Sequence, residues 1–273
     1  MNMIRIIATR LPPSVVRRIG RLQFEYPALA PLIRRIGRSV RDGVTRIQHG
    51  PGQGLLIDAS LGFPGYALGT TEPEEQAVLQ KMLNPGDTFW NVGANIGFHA
   101  ILGARFVGPY GHVVAFEPSP EVAKMATKNA ILNNFEQLTI VEAAVSDSIG
   151  NISLFFGESP AQNTILQERT KGSRSVEVAG ITLDSYLASS IRPPNVISID
   201  VEGAEIQVLA GGVETIRMWK PKLLIELHWT QNEFFQFFNK HFSDLGYVAL
   251  ELDGLPYEQK IQPIREHVVM LVK

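Results

Sequence analysis

The chain has 273 residues, 45% of them hydrophobic, and a formal net charge of −2, which is enough to bury one substantial core with an extra segment attached. Cysteine is absent, which excludes disulfides, thiolate nucleophiles and cysteine zinc sites and favours a reducing compartment, the cytoplasm. No apolar run reaches 18 residues, and arginines and prolines interrupt the N-terminal stretch, so we expect neither a membrane-spanning helix nor a secretory signal.

Residues 1–50 form a basic arm that differs in charge from the rest of the chain. They contain ten arginines, no lysine and only two acids, Glu25 and Asp42. Apolar residues recur at helical spacing in the stretches 15–22 and 29–40, which predicts two amphipathic helices. We favour packing of this arm on the rest of the chain or in a homodimer contact, and peripheral contact with a membrane stays open. Nucleic acid is not an expected partner, because the acidic remainder would repel phosphate.

The middle of the chain changes character twice. Proline and glycine are frequent in residues 51–71, which predicts a connector and lid of turns and short strands. Helical periodicity returns in TEPEEQAVLQKML, with Thr71 as the expected N-cap. From 72 to 273 strands and helices alternate, which predicts an α/β domain with parallel strands and helical crossovers. Period-two patterns at about 151–184 predict an inserted β-hairpin, and YVALELD and HVVMLVK predict two closing strands.

The segment FWNVGANIGFHA, residues 89–100, passes from an apolar strand to a helix through two glycines. Gly93 and Gly97 therefore fall where ligands meet the carboxyl ends of strands in an open α/β sheet. Their G-x-x-x-G spacing differs from the G-x-G-x-x-G of dinucleotide sites, which disfavours an NAD-dependent oxidoreductase. The next strand ends at Glu117, whose carboxylate can accept both hydroxyl hydrogens of a ribose, so an adenosine-containing ligand is predicted.

Five motifs in order, FWNVGANIGFHA, VVAFEPSPE, VEAAVSD, ISIDVEGAE and LLIELH, resemble the FkbM-type family of S-adenosylmethionine-dependent methyltransferases. The resemblance spans residues 72–273. It implies a Rossmann-like, seven-stranded methyltransferase sheet with helices on both faces and an antiparallel last strand. It also implies S-adenosylmethionine as the cofactor and, as acceptor, a hydroxyl of a sugar, glycolipid or secondary metabolite, either a small molecule or a lipid-linked sugar.

The resemblance also assigns cofactor contacts to residues of three strand ends. The residues that would line the methionine and ribose part are Gly93, Ala94, Asn95 and Gly97. Glu117 would hold the ribose hydroxyls, and the adenine would be bordered by Ala144, Val145 and Ser146. Two positions depart from the family pattern: Asn91 replaces a usual aspartate that would face the methionine ammonium, and Ser198 replaces a common lysine.

Methyl transfer to an alcohol requires a base or a metal to help remove the hydroxyl proton. Asp200 and Glu202 follow the fourth strand, and Glu226 and His228 end the fifth, so we expect all four at one rim of the sheet. His228, with an unperturbed pKa near ~6.5, is the preferred general base. Asp200 would orient it or bind acceptor hydroxyls. No metal site is predicted, although Asp200 and Glu226 would be the ligands of a metal-dependent enzyme.

Some residues have simpler interpretations. Glu205 lies in a first helical turn, where the helix dipole favours an acid. His99 is interpreted as structural, and Phe234, Phe235, Phe237 and Phe238 as core residues of a helix covering the sheet. The departures at Asn91 and Ser198 leave one alternative function open, a non-catalytic module that binds S-adenosylmethionine.

Overall fold

The computed structural model describes residues 7, 11–157, 162–169, 174–190, 192–257 and 265–272. Helices α1 (Pro13–Glu25) and α2 (Ala30–Arg41) are joined by a 3₁₀ turn, Pro27–Leu29, so both predicted arm helices are confirmed. Residues 1–6 and 8–10 of the predicted arm lie outside the described residues. None of the described helices is long and apolar enough to cross a membrane.

Strand β1 (Val44–Arg46), at the end of the arm, and β2 (Leu56–Asp58), in the connector, form a small antiparallel pair. Helices α3 (Pro64–Leu68) and α4 (Pro73–Met82) follow. The predicted N-cap of α4 is wrong by one residue. Glu72 holds the cap position in a left-handed conformation, with φ 46° and no side-chain cap bond. The physical reason is Pro73, whose ring disfavours right-handed helical geometry at the residue before it.

Seven strands form the central sheet: β3 Thr88–Val92, β4 His112–Phe116, β5 Leu138–Val141, β9 Val196–Ile199, β10 Lys222–His228, β11 Tyr247–Leu250 and β12 Arg265–Val272. Their spatial order is β11-β12-β10-β9-β3-β4-β5. The strands from β10 to β5 run parallel, whereas β12 is antiparallel to both β10 and β11. The fold class implied by the family resemblance is confirmed.

Helices cover both faces of this sheet and create two cores. The helices are α5 Phe98–Val107, α6 Pro120–Leu132, α7 Leu183–Ser189, α8 Glu205–Ala210, α9 Val213–Trp219 and α10 Gln231–His241. Phe89 belongs to one core and Trp90 to the other, because successive strand residues point to opposite faces. The phenylalanines of α10 belong to the core containing Trp90, as predicted: Phe234 is fully buried and the other three pack against that core.

A second, three-stranded sheet is formed by residues that follow β5, the third strand of the main sheet in chain order. Strands β7 (Gly150–Phe155) and β8 (Ser175–Ile181) are antiparallel, which confirms the inserted hairpin, and part of its tip, residues 158–161 and 170–173, lies outside the described residues. Strand β6 (Ala144–Val145) pairs parallel to β8. The apolar segment LTIVEAAV, residues 138–145, therefore does not form one continuous strand, because its last residues leave the main sheet to pair with the insertion.

Candidate active site

The carboxyl ends of β3, β4 and β9 open into a cleft of about 590 Å³, part of it open to solvent. Of the residues assigned to the cofactor, those lining this cleft are Gly93, Asn95, Glu117, Ala144 and Val145. Asn91, Ala94, Gly97 and Ser146 are buried and are not among its lining residues. Asp200 and Glu202 line the same cleft as these five residues, whereas His228, the predicted base, is fully buried and is not among the lining residues.

The first glycine of the turn is required by its surroundings. Gly93 has φ 81°, and a Cβ built on it would lie 1.7 Å from the carbonyl oxygen of Asp200. The amides of Gly93 and Ala94 both donate to the carbonyl of Phe116, at 3.0 and 2.9 Å, which ties the turn to the end of β4. The backbone of β3 thus approaches β9 more closely than any side chain would allow.

The second glycine serves a different neighbour. Gly97 has φ 82°, and an added Cβ would lie 3.1 Å from the Cβ of Ala126 in α6. This glycine therefore permits the start of α5 to pack closely on α6, whereas Gly93 belongs to the cleft itself.

Glu117 is a buried carboxylate held in a fixed orientation. Its Oε2 accepts a hydrogen bond from the amide of Asn95 and its Oε1 accepts one from the amide of Ser119, both at 2.9 Å. Burial raises the pKa of Glu117 to about 7, against the opposing effect of these two backbone bonds. Each carboxylate oxygen can accept a second hydrogen bond, so Glu117 can bind two further donors from the cleft.

The four predicted rim residues do lie together. His228 is fully buried, and its Nε2 lies 3.5 Å from Glu202 Oε2, 3.8 Å from Asp200 Oδ1 and 4.0 Å from Glu226 Oε1. Nε2 has no hydrogen-bond partner among the described residues. Asp200 has a buried Oδ1, although 37% of its side chain is accessible. Burial and the neighbouring carboxylates, Glu226 foremost, raise the pKa of Asp200 well above its usual value.

Glu205 is a site residue that the sequence interpretation missed. Its Oε1 lies 2.9 Å from Nδ1 of His228 and accepts the amide of Gly203 at 2.8 Å, and its Oε2 accepts the hydroxyl of Thr230 at 3.1 Å. Because a carboxylate only accepts, Nδ1 carries the hydrogen of this bond and the ring orientation is fixed. The signal that could have found it is a third acid close behind Asp200 and Glu202, at the strand end facing a histidine.

The pKa of His228 follows from these contacts. Burial by itself would lower that pKa, but the hydrogen bond that His228 donates to Glu205 and the nearby carboxylates of Glu202 and Glu226 outweigh it, and the pKa is raised above its usual value. His228 is therefore a stronger base than a free imidazole.

A second acid–histidine group adjoins the first. Glu75 lies 3.2 Å from Nε2 of His267 and 3.8 Å from Nδ1 of His99, and burial of Glu75 is outweighed by these histidines, which lower its pKa to about 2. His267, from the antiparallel strand β12, also lies 3.8 Å from Glu226 and so links the two groups. His99, interpreted above as structural, belongs to this network, and His267 was missed.

Two sets of side chains in the described part of the chain are close enough to share a cation. One is Glu72, Glu75 and His99, and the other is Asp200, Glu226 and His228. Carboxylate and imidazole donors suit manganese or zinc as well as magnesium. The same groups can also bind hydroxyl hydrogens, because the carboxylates are strong acceptors.

Comparison with known proteins adds four findings. The family model described as the methyltransferase FkbM domain matches residues 91–249. The hexuronic acid methyltransferase AglP of Haloferax volcanii is 32% identical over 161 residues, which are 56% of this chain and 62% of AglP, so the matching region spans less than two thirds of that relative. The 2-O-methyltransferase NoeI of Sinorhizobium fredii is 26% identical over 189 residues, 60% of this chain and 75% of NoeI.

Among solved structures, a methyltransferase FkbM from Methylobacillus flagellatus aligns with a TM-score of 0.46 and 15% identity. The alignment covers 76% of this chain and 52% of that one.

Proposed function

The chain belongs to the FkbM family of methyltransferases, and from this premise we propose that it transfers a methyl group from S-adenosylmethionine to a hydroxyl of a sugar-like acceptor. The observation that carries the proposal is the shared cleft, lined by the oriented carboxylate of Glu117 and by the acids Asp200 and Glu202 in front of His228. The residues that we propose for the cofactor and those that we propose for the acceptor hydroxyl thus line one space.

The cleft residues fit the cofactor chemically. Glu117 has one further acceptor position on each oxygen, as the two ribose hydroxyls require. Gly93 and Asn95 would contact the methionine and ribose part, with Ala94 and Gly97 shaping the turn, and Ala144, Val145 and Ser146 would border the adenine. Asn91 does not line the cleft, but its buried Oδ1 lacks a hydrogen-bond partner among the described residues and is an acceptor of the kind that the methionine ammonium requires.

The bound cofactor supplies an activated methyl group, and the protein supplies alignment and proton removal. We assign Asp200 and Glu202 to binding the acceptor hydroxyl, because both line the cleft. We assign His228 as the general base, with its free Nε2 toward those acids and its Nδ1 held by Glu205. The ring is then in the tautomer that can accept a proton at Nε2.

A metal is not required for this assignment, because the histidine accepts the proton. If a divalent ion were bound at this rim, the chain's ligands would be Asp200, Glu226 and His228, and the ion would lower the pKa of the hydroxyl. Turnover in the presence of a chelator separates the two cases. The base mechanism predicts unchanged activity. Loss of activity in the chelator and its recovery in magnesium would replace the base mechanism with a metal-dependent one.

The acceptor class rests on the relatives and on the cleft chemistry. AglP is named for hexuronic acid and NoeI for 2-O-methylation. A rim of carboxylates suits the hydroxyls of sugars, glycolipids or hydroxylated secondary metabolites, to which it offers acceptors.

The first experiment is calorimetric titration of the purified protein with S-adenosylmethionine, S-adenosylhomocysteine and NAD. We expect binding of the two sulfur compounds and none of NAD. Selective binding of NAD would overturn the proposal in favour of an oxidoreductase. Turnover with hydroxylated sugars and glycolipids separates an enzyme from a non-catalytic module that binds the cofactor, the alternative suggested by the departures at Asn91 and Ser198.

A further inference from the structure

The elbow between α1 and α2 is an exposed apolar segment. Residues 26–32 read YPALAPL and contain no charge. The large side chains Tyr26, Leu29 and Leu32 are 56%, 42% and 58% exposed, and the prolines and Ala28 between them are exposed as well. Single exposed apolar residues are ordinary, but a contiguous run with three large side chains marks an interaction surface.

Arginines flank this elbow on both helices. The exposed ones are Arg18 and Arg21 in α1 and Arg34, Arg35 and Arg38 in α2. None of the five forms an ion pair with another described residue. The one acid between residues 11 and 41 is Glu25, so the surface around the elbow is strongly positive.

The far end of α2 is fixed to the body of the protein. Val40 is buried, Arg41 donates through Nη1 to the carbonyl of Gly62 at 2.9 Å, and a Cβ on Gly37 would lie 2.9 Å from Cγ of Pro64. The elbow is at the other end of this 12-residue helix, about 18 Å away along the axis. Packing of the arm on the body therefore leaves the elbow uncovered.

We propose that the elbow, residues 26–32 with its flanking arginines, docks on an anionic lipid bilayer. An apolar tip that enters the interface, ringed by cations that meet lipid phosphates, satisfies both features together. A second copy of the chain would bring two sets of arginines into like-charge contact at this surface. Nucleic acid would use the arginines but would leave the leucines without a partner.

The test is flotation of the full chain with phosphatidylcholine vesicles, with or without 30% phosphatidylglycerol, at about 50 and 150 mM salt. The variants are Leu29→Ser with Leu32→Ser for the tip and Arg34→Gln with Arg35→Gln for the charge. Matched controls on the body are Ile131→Ser with Ile149→Ser, two exposed isoleucines, and Lys124→Gln with Lys240→Gln, two exposed lysines.

We expect the protein to bind the anionic vesicles alone, and to bind them more weakly at higher salt. Each arginine removed should lower the affinity by roughly fivefold, and the tip substitutions should abolish binding. Both control variants should bind like the wild type. The proposal is overturned by absent vesicle binding, by equal binding to neutral vesicles, or by equal loss in the lysine control. Binding of transfer RNA that survives the tip substitutions, or a dimer in light scattering that those substitutions dissociate, would also overturn it. Calorimetry with S-adenosylmethionine on the same preparations keeps this result separate from the proposed activity.

Discussion

Asn91 Nδ2 donates a hydrogen bond to Ser198 Oγ at 2.9 Å, across the neighbouring strands β3 and β9 in which the two residues are register partners. Both are buried. The family resemblance implied an aspartate and a lysine at these two positions. In this chain a neutral hydrogen bond joins the two side chains instead.

This pairing predicts strong coupling between the two positions. Asn91→Asp or Ser198→Lys alone buries an unpaired charge and should lower the free energy of unfolding by about 3 to 5 kcal/mol. The double substitution pairs the charges and should recover most of that loss. Urea unfolding of the four proteins measures the coupling. Additive losses would mean that the two side chains do not interact.

Gly93 should tolerate no side chain, for a reason separate from its dihedral angle. Gly93→Ala adds both the strain of positive φ and a clash with the Asp200 carbonyl, whereas Gly86→Ala, at φ 92°, meets nothing within 4 Å. We expect Gly86→Ala to cost about 1 to 2 kcal/mol in unfolding free energy. Gly93→Ala should cost clearly more and also reduce cofactor binding. Equal thermal shifts for the two variants would contradict the close approach.

Glu117→Gln should weaken the binding of S-adenosylmethionine, because an amide offers one acceptor where the carboxylate offers two charged ones. Loss of charge-assisted hydrogen bonds of about 1.5 to 3 kcal/mol corresponds to roughly a 10- to 150-fold rise in Kd. Isothermal titration measures it, with the exposed Glu142→Gln as the matched control. An unchanged Kd for Glu117→Gln would remove Glu117 from the cofactor site.

The same glutamate should make stability depend on pH in a particular direction. Its pKa is about 7 in the folded protein against 4.5 ordinarily, so the folded state holds the proton more tightly. Its contribution to the free energy of unfolding is therefore greatest below pH 4.5 and declines as pH rises to about 7, by on the order of 3 kcal/mol. Urea denaturation of the wild type and of Glu117→Gln across this pH range isolates the effect. A difference in unfolding free energy, wild type minus variant, that rises with pH would refute it.

His228→Asn should retain cofactor binding and lower kcat by about 10²- to 10⁴-fold if His228 is the general base. The wild-type rate should rise with pH through an inflection above the ordinary histidine value, since its neighbours raise its pKa. A useful control is His112→Gln at the amino end of β4, since His228 lies at the carboxyl end of β10 in the same sheet. A full rate in His228→Asn would exclude the assignment.

Glu205→Gln tests the positioning of that base. The amide keeps the shape but removes the charge that holds Nδ1 of His228. We expect lower kcat, little change in KM, and an inflection of the pH–rate profile shifted to lower pH, because the charged imidazole loses its partner. A merely structural role would reduce stability and leave the inflection where it is.

Much of the fold follows from local pattern. Apolar strands such as 88–92 and 196–199 alternate with helices of clear periodicity, which is sufficient for a parallel α/β sheet. The rim of Asp200, Glu202, Glu226 and His228 follows too, because the carboxyl ends of adjacent parallel strands meet at one edge. The break after Val141 escaped prediction, since it depends on the pairing of β6 with β8, a strand more than thirty residues further along the chain.

The sequence by itself determined the order of the elements, the glycine turn, Glu117 at a strand end and the family. Only the tertiary structure decided which partners these groups have. Asn91 meets Ser198 across 107 positions, and His267 meets Glu75 across 192. Glu205 became the support of His228 because helix α8 turns its first residue into the core. Periodicity reports which face a residue occupies, whereas a contact between distant residues depends on how strands are ordered and helices are set against them.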